Sequence, residues 1–317
     1  MKTAANFIEA IKNETNGFSF GEPWKYDKSS TTTVLPILRE IGTKRSYLVL
    51  DEAEEIQMED TGRISSILVT NNEIDPIFIR AGNIFMGSTQ ERAAIFSRIV
   101  MPSKCEKIDV VCVHLSRPIS GGAQVHSAGF TPRSIDLSSQ RSTWDSAHAF
   151  SDSAITTLAR LRSHRRRTDV AVEQRAAAKE LAFAKEDDVR GNLKSFSKTI
   201  EDVLEQVPFG DSQVGIALID DNGFAGIEVF DHSASWKPVK NQLLRREGEK
   251  ITEIDVDGVV DWKPENVKKQ TKNSLENHFE EEDLYKDQNT RTIKISSGNF
   301  IGEVTLIKNQ VIHLHLA

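Results

Sequence analysis

The sequence predicts an α+β protein with an antiparallel β-sandwich or barrel-like core and an inserted helical segment. Short apolar segments bounded by Gly, Pro, Asn and Asp recur from residue 32 to about residue 114 and again after residue 208, which is typical of antiparallel strands. Between them, residues 144–207 include a long stretch rich in Ala, Glu, Gln and Lys, which favours helix. We therefore expect one β-rich domain over residues 32–317, with the helical insertion at about 144–207.

Residues 1–31 are predicted to form an N-terminal helix and a polar lead-in. Phe7, Ile8 and Ile11 recur at helical spacing, and Gly17 ends the pattern. The next part of the chain contains short candidate strands and one short helix over residues 50–55. The strands are Thr33–Leu38, Tyr47–Leu50, Ile64–Thr70, Ile77–Arg80, Ala94–Met101 and Lys107–Leu115. Both faces of the last one are apolar, so we expect it to be a central strand.

The part of the chain after residue 208 contains the clearest hairpin. Val214–Ile219 and Phe224–Phe230 flank an Asn-Gly turn, which accepts positive φ at low cost. A meander of three strands is predicted to follow the helices. The helices are Trp236–Leu244, with Pro238 in its first turn, and a segment around Val267–Phe279, and the strands are Thr292–Ser296, Phe300–Ile307 and Val311–Leu316.

Composition limits the class of protein. The 317 residues carry 40 Lys and Arg against 47 Asp and Glu, a formal charge of −7, which argues against a protein that coats nucleic acid. The two cysteines, Cys105 and Cys112, are too few for a disulfide framework, and we expect both to be reduced and unligated. No apolar segment approaches the roughly 20 residues that cross a bilayer, and no signal peptide is visible. We expect a soluble, cytoplasmic protein with no membrane contact.

Motifs for common cofactors and metals are absent. No phosphate-binding glycine loop, dinucleotide fingerprint or paired-cysteine motif is present, so we expect no bound cofactor and no metal. His313 and His315 point the same way on the final strand, and they could bind a metal if a carboxylate met them. A histidine pair on one face of an edge strand is more often polar surface, which is the interpretation we favour.

Charged runs are open to two interpretations. The basic cluster at residues 160–167 could bind an anionic partner, or it could be a solvated helix end or linker. No aromatic residues are interleaved with these arginines, which weakens the case for nucleic acid and favours the second interpretation. The acidic runs at 186–188 and 280–283 are most simply solvated.

The segment from Arg80 to Arg92 is the most suggestive of a ligand site. Gly87 would allow a ligand to approach the backbone closely or the chain to bend tightly. Gln90 and Arg92 alternate onto one side and could hold a planar or anionic group at the rim of a pocket. A hairpin with a polar turn is the structural alternative.

A set of short motifs in fixed order resembles the ADP-ribosylglycohydrolase and rhodanese–phosphatase-superfamily-associated protein domain family. The motifs are Val69-Thr70-Asn71, Asp75–Ile79, Gly82, Gly87–Arg92, Val100-Met101-Pro102, Val111-Cys112-Val113, Gln140, Trp144, Gly226–Asp231 and His313-Leu314. The chain departs from the family pattern where acidic residues are expected, with Asn83 after Gly82 and His114 after the Cys-Val pair, and where Arg117-Pro118 replaces an Arg-Trp pair. These losses favour binding over catalysis.

Three functions follow as expectations. The first is a ligand-binding or sensing protein for a nucleotide-like or ADP-ribose-like small molecule, which the resemblance implies by association. The second is a hydrolase acting on a phosphate- or ribose-containing substrate, and the third is an interaction protein that uses the 144–207 helices, through which the chain could also form a homo-oligomer. The candidate ligand-binding residues are Gly87, Gln90, Arg92, His114, Arg117 and Arg141; no catalytic residue is assigned.

Overall fold

A computed structural model describes residues 3–25, 32–40, 44–63, 65–86, 92–112, 125–130, 210–220, 223–248, 263–298 and 300–316. These residues are mostly antiparallel β-sheet with few helices, which confirms the predicted α+β class with a β-rich core. The predicted helical insertion at about 144–207 lies outside the described residues.

Most of the described elements are short strands. In chain order, the first are α1 (Ala4–Lys12), β1 (Phe18–Phe20), β2 (Trp24–Lys25), β3 (Thr33–Arg39), β4 (Leu48–Val49), a 3₁₀ turn (Leu50–Glu52), β5 (Ile56–Asp60), β6 (Ser66–Asn71), β7 (Ile77–Ile79), β8 (Asn83–Met86), β9 (Arg92–Ala94), β10 (Arg98–Val100), β11 (Cys105–Cys112) and β12 (His126–Phe130). The others are β13 (Gln213–Asp220), β14 (Gly223–Phe230), α2 (Ser233–Gly248), α3 (Pro264–Ser274), β15 (Glu280–Lys286), β16 (Thr290–Ser297), β17 (Phe300–Ile307) and β18 (Gln310–Leu316).

The chain divides into two compact units. The first unit joins Met1–Glu52 to Lys198–Ala317, and the second is Ala53–Ser197. The first unit contains a nine-stranded antiparallel sheet in the order β1-β3-β13-β14-β18-β17-β16-β15, with β2 also paired to β3. Strand β18 lies between β14 and β17, so the expectation that it is an edge strand was wrong. The reason is that strand order depends on pairing between distant segments, which local sequence does not encode.

One face of this sheet forms the hydrophobic core of the first unit. Strand residues alternate between the two faces, and one set packs against α1 and α3. Phe7 of α1 meets Phe18 edge-on with 5.4 Å between ring centroids, and both are buried. The core side chains of the strands include Leu35, Ile37, Ala217, Ile219, Ile227, Val229, Ile293, Ile295, Val304, Leu306, Leu314 and Leu316. The strand residues that alternate with these core residues therefore lie on the opposite face of the sheet.

The N-terminal helix has the predicted form. Thr3 caps it by accepting a hydrogen bond from the backbone N–H of Asn6, and Phe7, Ile8 and Ile11 are buried. Gly17 follows with φ of +82°, and a Cβ there would overlap the carbonyl oxygen of Glu40. A glycine is therefore required where the chain turns into β1.

The second unit contains a six-stranded antiparallel sheet in the order β12-β8-β9-β11-β6-β5, and β7 pairs with β10. Strand β11 lies between β9 and β6, which confirms that it is central. Cys105 is a free thiol on this strand. No helix among the described residues is both long and apolar enough to cross a membrane.

Candidate functional site

Arg92 is the one sequence-predicted ligand residue that the structure describes. It opens β9 with 1% of its surface exposed, and its guanidinium forms an ion pair with the buried carboxylate of Asp60. It also donates hydrogen bonds of 2.9 Å to the carbonyl oxygens of Arg63 and Ser66. Removing either member of such a buried ion pair is strongly destabilising, so this contact holds β5, β6 and β9 together. Gly87, Gln90, His114, Arg117 and Arg141 lie outside the described residues, and their role in binding stays a prediction.

The most chemically distinctive group lies in the first unit, on the sheet face away from the hydrophobic core. Glu228 of β14 is opposite His315 of β18, and Phe230 is opposite His313. This register brings the Glu228 carboxylate between the two imidazoles. One carboxylate oxygen lies 2.7 Å from Nε2 of His313, and the other lies 2.7 Å from Nδ1 of His315. The carboxylate therefore bridges both rings.

Burial gives this cluster its chemical significance. Glu228, His313 and His315 are exposed by 6%, 0% and 5%. An ionised carboxylate can only accept hydrogen bonds, so with Glu228 ionised the contacting nitrogen of each ring carries the hydrogen. In a neutral imidazole the other ring nitrogen is then an acceptor. An ionised Glu228 would thus set the tautomer and orientation of both rings, which is how a carboxylate prepares a histidine for binding or proton transfer.

Further polar residues extend the cluster across the sheet. Glu303 of β17 is opposite His315, Thr305 is opposite His313, and both are fully buried. Lys294 of β16 is opposite Glu303 in the register, so it continues the row of polar residues across the sheet. Its ammonium lies 3.8 Å from the carboxylate of Glu282. The hydroxyl of Thr305 is buried and has no hydrogen-bond partner among the described residues.

Two glycines let the strands approach each other beside the cluster. A Cβ on Gly215 would overlap the carbonyl oxygen of Glu228, and one on Gly302 would overlap that of His315. The same Cβ on Gly302 would lie 2.7 Å from the Cα of Leu316. These contacts are with backbone, which cannot swing aside, so both positions require glycine.

Aromatic packing bounds the cluster at Phe230. The ring of Phe230 lies 4.7 Å from the ring of His313 and 6.5 Å from Trp236 of α2, measured between centroids. Trp236 is 1% exposed, and its indole Nε1 has no hydrogen-bond partner among the described residues. Helix α2 therefore covers the Phe230 end of the polar row with apolar surface.

A second buried acid follows at the end of β14. Burial raises the pKa of Asp231 to about 6, although the Tyr47 hydroxyl donates a 2.8 Å hydrogen bond to its carboxylate and Arg39 lies nearby. Burial also raises the pKa of Tyr47, and it lowers that of Arg39. Arg39 donates a 2.6 Å hydrogen bond to the backbone carbonyl of Asp231. These hydrogen bonds connect Tyr47, which precedes β4, and Arg39 of β3 to Asp231 at the end of β14.

The favoured interpretation of the two histidines as polar surface was wrong, because His313 and His315 are both buried on a central strand. The two imidazoles do share a face, and a carboxylate does meet them, as the metal interpretation required. However, the described part of the chain contains no group of three or more His, Cys, Asp or Glu arranged to hold a metal ion. Glu228 was not predicted as a site residue, and the available signal was a lone carboxylate within the apolar strand Phe224–Phe230.

Comparison with known proteins identifies one family. The model of the ARG and Rhodanese-Phosphatase-superfamily-associated Protein domain matches residues 17–317. No curated protein and no solved structure gives a significant match. The match covers the strands of the sheet that carries the Glu228 cluster as well as the second unit.

Proposed function

The chain belongs to the ARG and Rhodanese-Phosphatase-superfamily-associated Protein domain family, and we propose that it is a binding or sensing protein for a small nucleotide-like ligand such as ADP-ribose. The observation that carries the proposal is the Glu228 carboxylate bridging His313 and His315 on the sheet face opposite the core. The resemblance to an ADP-ribosylglycohydrolase-associated domain favours ADP-ribose among nucleotide-like ligands, by association.

A physical argument links the cluster to binding. Burying a carboxylate costs free energy, and replacing buried ionic groups with apolar residues of similar volume is often neutral or stabilising. The alternate face of a nine-stranded sheet could be filled by leucine and valine, as the core face is. A cluster of Glu228, His313, His315 and Glu303 is instead suited to hold hydrogen-bonding groups in fixed directions for a ligand.

Thermal-shift measurements on the intact chain test this proposal. A ligand that binds the native state raises the melting temperature, so ADP-ribose, NAD and sugar phosphates are screened in parallel. We expect ADP-ribose to raise the melting temperature of the wild type. The increase should be lost in Glu228→Gln, and in His315→Asn, whose amide nitrogen replaces the Nδ1 donor.

Matched controls separate binding from general damage. Glu281 is exposed on β15, three strands from β18, and His278 is exposed on the segment before β15, so Glu281→Gln and His278→Asn should retain the full ligand-induced shift. If no nucleotide or sugar phosphate shifts the wild type, or if the cluster variants respond as the wild type does, the proposed site is wrong.

The hydrolase alternative is favoured by one specific observation. A histidine whose ring is held by a carboxylate is the arrangement that orients a general base, and Glu228 holds two such rings. Incubation of the wild type with ADP-ribose, followed by phosphorus NMR, would detect new phosphate species. Turnover that Glu228→Gln abolishes would support hydrolysis, and an unchanged spectrum with intact binding would support binding alone.

A further inference from the structure

We infer that the outer edge of β15 is a docking site for an extended, basic peptide segment of a partner protein, which adds to the nine-stranded sheet as a further strand. Strand addition of this kind takes its affinity from main-chain hydrogen bonds and its specificity from the side chains that face each other. The edge lies three strands from β18, so the inference is independent of the proposed ligand site.

Strand β15 forms a long edge at one end of the sheet. It is the last strand in the sheet order, and β16 is the only strand paired with it among the described residues. Its seven residues present an outer backbone edge of about 23 Å. At the opposite end, the edge strand β1 has only three residues, and its Phe18 and Phe20 are buried. A short edge strand offers little backbone to a partner, whereas β15 offers enough for a stable pairing.

The first half of β15 is exposed on both sides. Residues 280–283 are all exposed, although successive residues of a strand point to opposite faces of the sheet. On the neighbouring strand β16, the residues opposite Glu281 and Asp283 are Ile295 and Ile293, and both are buried. The layers that cover the sheet therefore end at β16, which leaves β15 accessible to an incoming strand.

Charge determines which strand this edge accepts. On the inner side, Asp283 forms an ion pair with Arg291 of β16, and Glu282 lies 3.8 Å from Lys294 of the same strand. Glu280 and Glu281 have no ion pair among the described residues. Opposite charges on neighbouring strands stabilise their pairing and like charges destabilise it. A segment rich in Lys or Arg is therefore favoured at the outer edge, whereas β15 of a second copy would set carboxylates against carboxylates.

The register of β15 limits the length of the docking segment. Pairing with β16 is regular from Glu280 to Asp283, and the register shifts between Asp283 and Tyr285. A bulge of this kind bends the strand and interrupts regular pairing. The partner segment therefore needs about four basic residues in succession, so that cations face both sides of the acidic strand.

Peptide binding to the intact chain is the first test, measured by fluorescence anisotropy. The labelled probe has four lysines between two pairs of threonines, because threonine favours the strand conformation. We expect this peptide to bind and a peptide with four glutamates in place of the lysines not to bind. Absence of binding by the lysine peptide at millimolar concentration would overturn the docking site.

A backbone-modified peptide separates strand pairing from simple charge attraction. N-methylation of the four lysine amides keeps the charges and removes the N–H donors that pairing requires. We expect the Kd of this peptide to be at least about tenfold higher. Equal affinity of the two peptides would overturn the strand addition.

A matched pair of double variants locates the binding surface. Glu280→Gln with Glu281→Gln removes the two carboxylates that have no ion pair among the described residues, and the Kd of the lysine peptide should rise about three- to tenfold. Glu54→Gln with Glu55→Gln is the control, because it removes the same charge from two adjacent exposed positions of the second unit. The control should change the Kd less than about twofold. An unchanged Kd in the β15 variant, or an equal rise in both variants, would contradict the inference.

Discussion

Replacing Glu228 by alanine is the sharpest test of how the polar face of the sheet is held together. The substitution removes two hydrogen bonds of 2.7 Å from a carboxylate that is 6% exposed, and it leaves two buried imidazoles without their acceptor. It also opens a cavity between β14 and β18. Each of these effects destabilises the folded state and none is offset in the unfolded chain.

The expected magnitude follows from the contacts. Truncating one partner of a buried, hydrogen-bonded ionic group costs about 3–5 kcal/mol, so we expect the free energy of unfolding to fall by about 4 kcal/mol. For a unit of this size, the melting temperature should fall by roughly 8–16 °C. Glu228→Gln preserves the shape and one acceptor oxygen, and it should cost only about 1–2 kcal/mol.

Urea unfolding monitored by circular dichroism and by tryptophan fluorescence measures this loss, because Trp236 packs against Phe230 beside the cluster. Glu281→Ala, at an exposed position of β15, should lie within about 0.5 kcal/mol of the wild type. If Glu228→Ala costs less than about 1 kcal/mol, the carboxylate does not hold the two imidazoles in solution, and the reasoning fails.

Other perturbations address other parts of the molecule. Burial raises the pKa of Asp231 to about 6 from 3.8. Between these two pH values the folded state keeps a proton that the unfolded chain releases. The stability that this group contributes is therefore lost as pH rises from about 4 to about 6. Asp231→Asn should therefore gain stability relative to the wild type by about 3 kcal/mol across that range. Urea unfolding of both chains at several pH values measures this gain. A difference in the free energy of unfolding that does not change with pH would refute the raised pKa. Gly302→Ala should cost about 1–3 kcal/mol by the same assay, because the added methyl meets the backbone of His315, and an unchanged midpoint would contradict the close approach of β17 and β18. Cys105 is an exposed free thiol and should react rapidly with a thiol reagent in the native protein, whereas protection until unfolding would disprove its exposure. The predicted self-association through the 144–207 segment is checked by light scattering on the intact chain and on a chain lacking that segment; a monomer in both cases would exclude it.

Local sequence signals were sufficient to predict much of the nine-stranded sheet. The hairpin of β13 and β14 was predicted because an Asn-Gly turn lies between two apolar strands, and Gly223 does have a positive φ of +107°. The meander of β16 to β18 was predicted for the same reason, since short turns separate alternating strands. In each case the residues that determine the structure lie within one hairpin.

Features that depend on distant or weak signals were not predicted. Strand β15 begins with the acidic run at 280–283 and has no apolar alternation; it forms because β16 offers a pairing edge and Arg291 and Lys294 meet its acids. The candidate site was incomplete because Glu228 and the two histidines are 85 and 87 residues apart, and only the β14–β18 register brings them together. The predicted strand over Ala94–Met101 is divided between β9 and β10.

The discontinuous first unit has a consequence for how the chain acquires its structure during synthesis. Leu35 of β3 pairs with Ala217 of β13, far later in the chain, so the early strands leave the ribosome long before their partners exist. The whole of the second unit, residues 53–197, is made in that interval. Strand β18, which carries both imidazoles, is the last described strand to emerge and the one that joins β14 to β17. Until it does, two strand edges in the middle of the future sheet are open to pairing with other chains, and a nascent or C-terminally clipped protein is exposed to aggregation at that point.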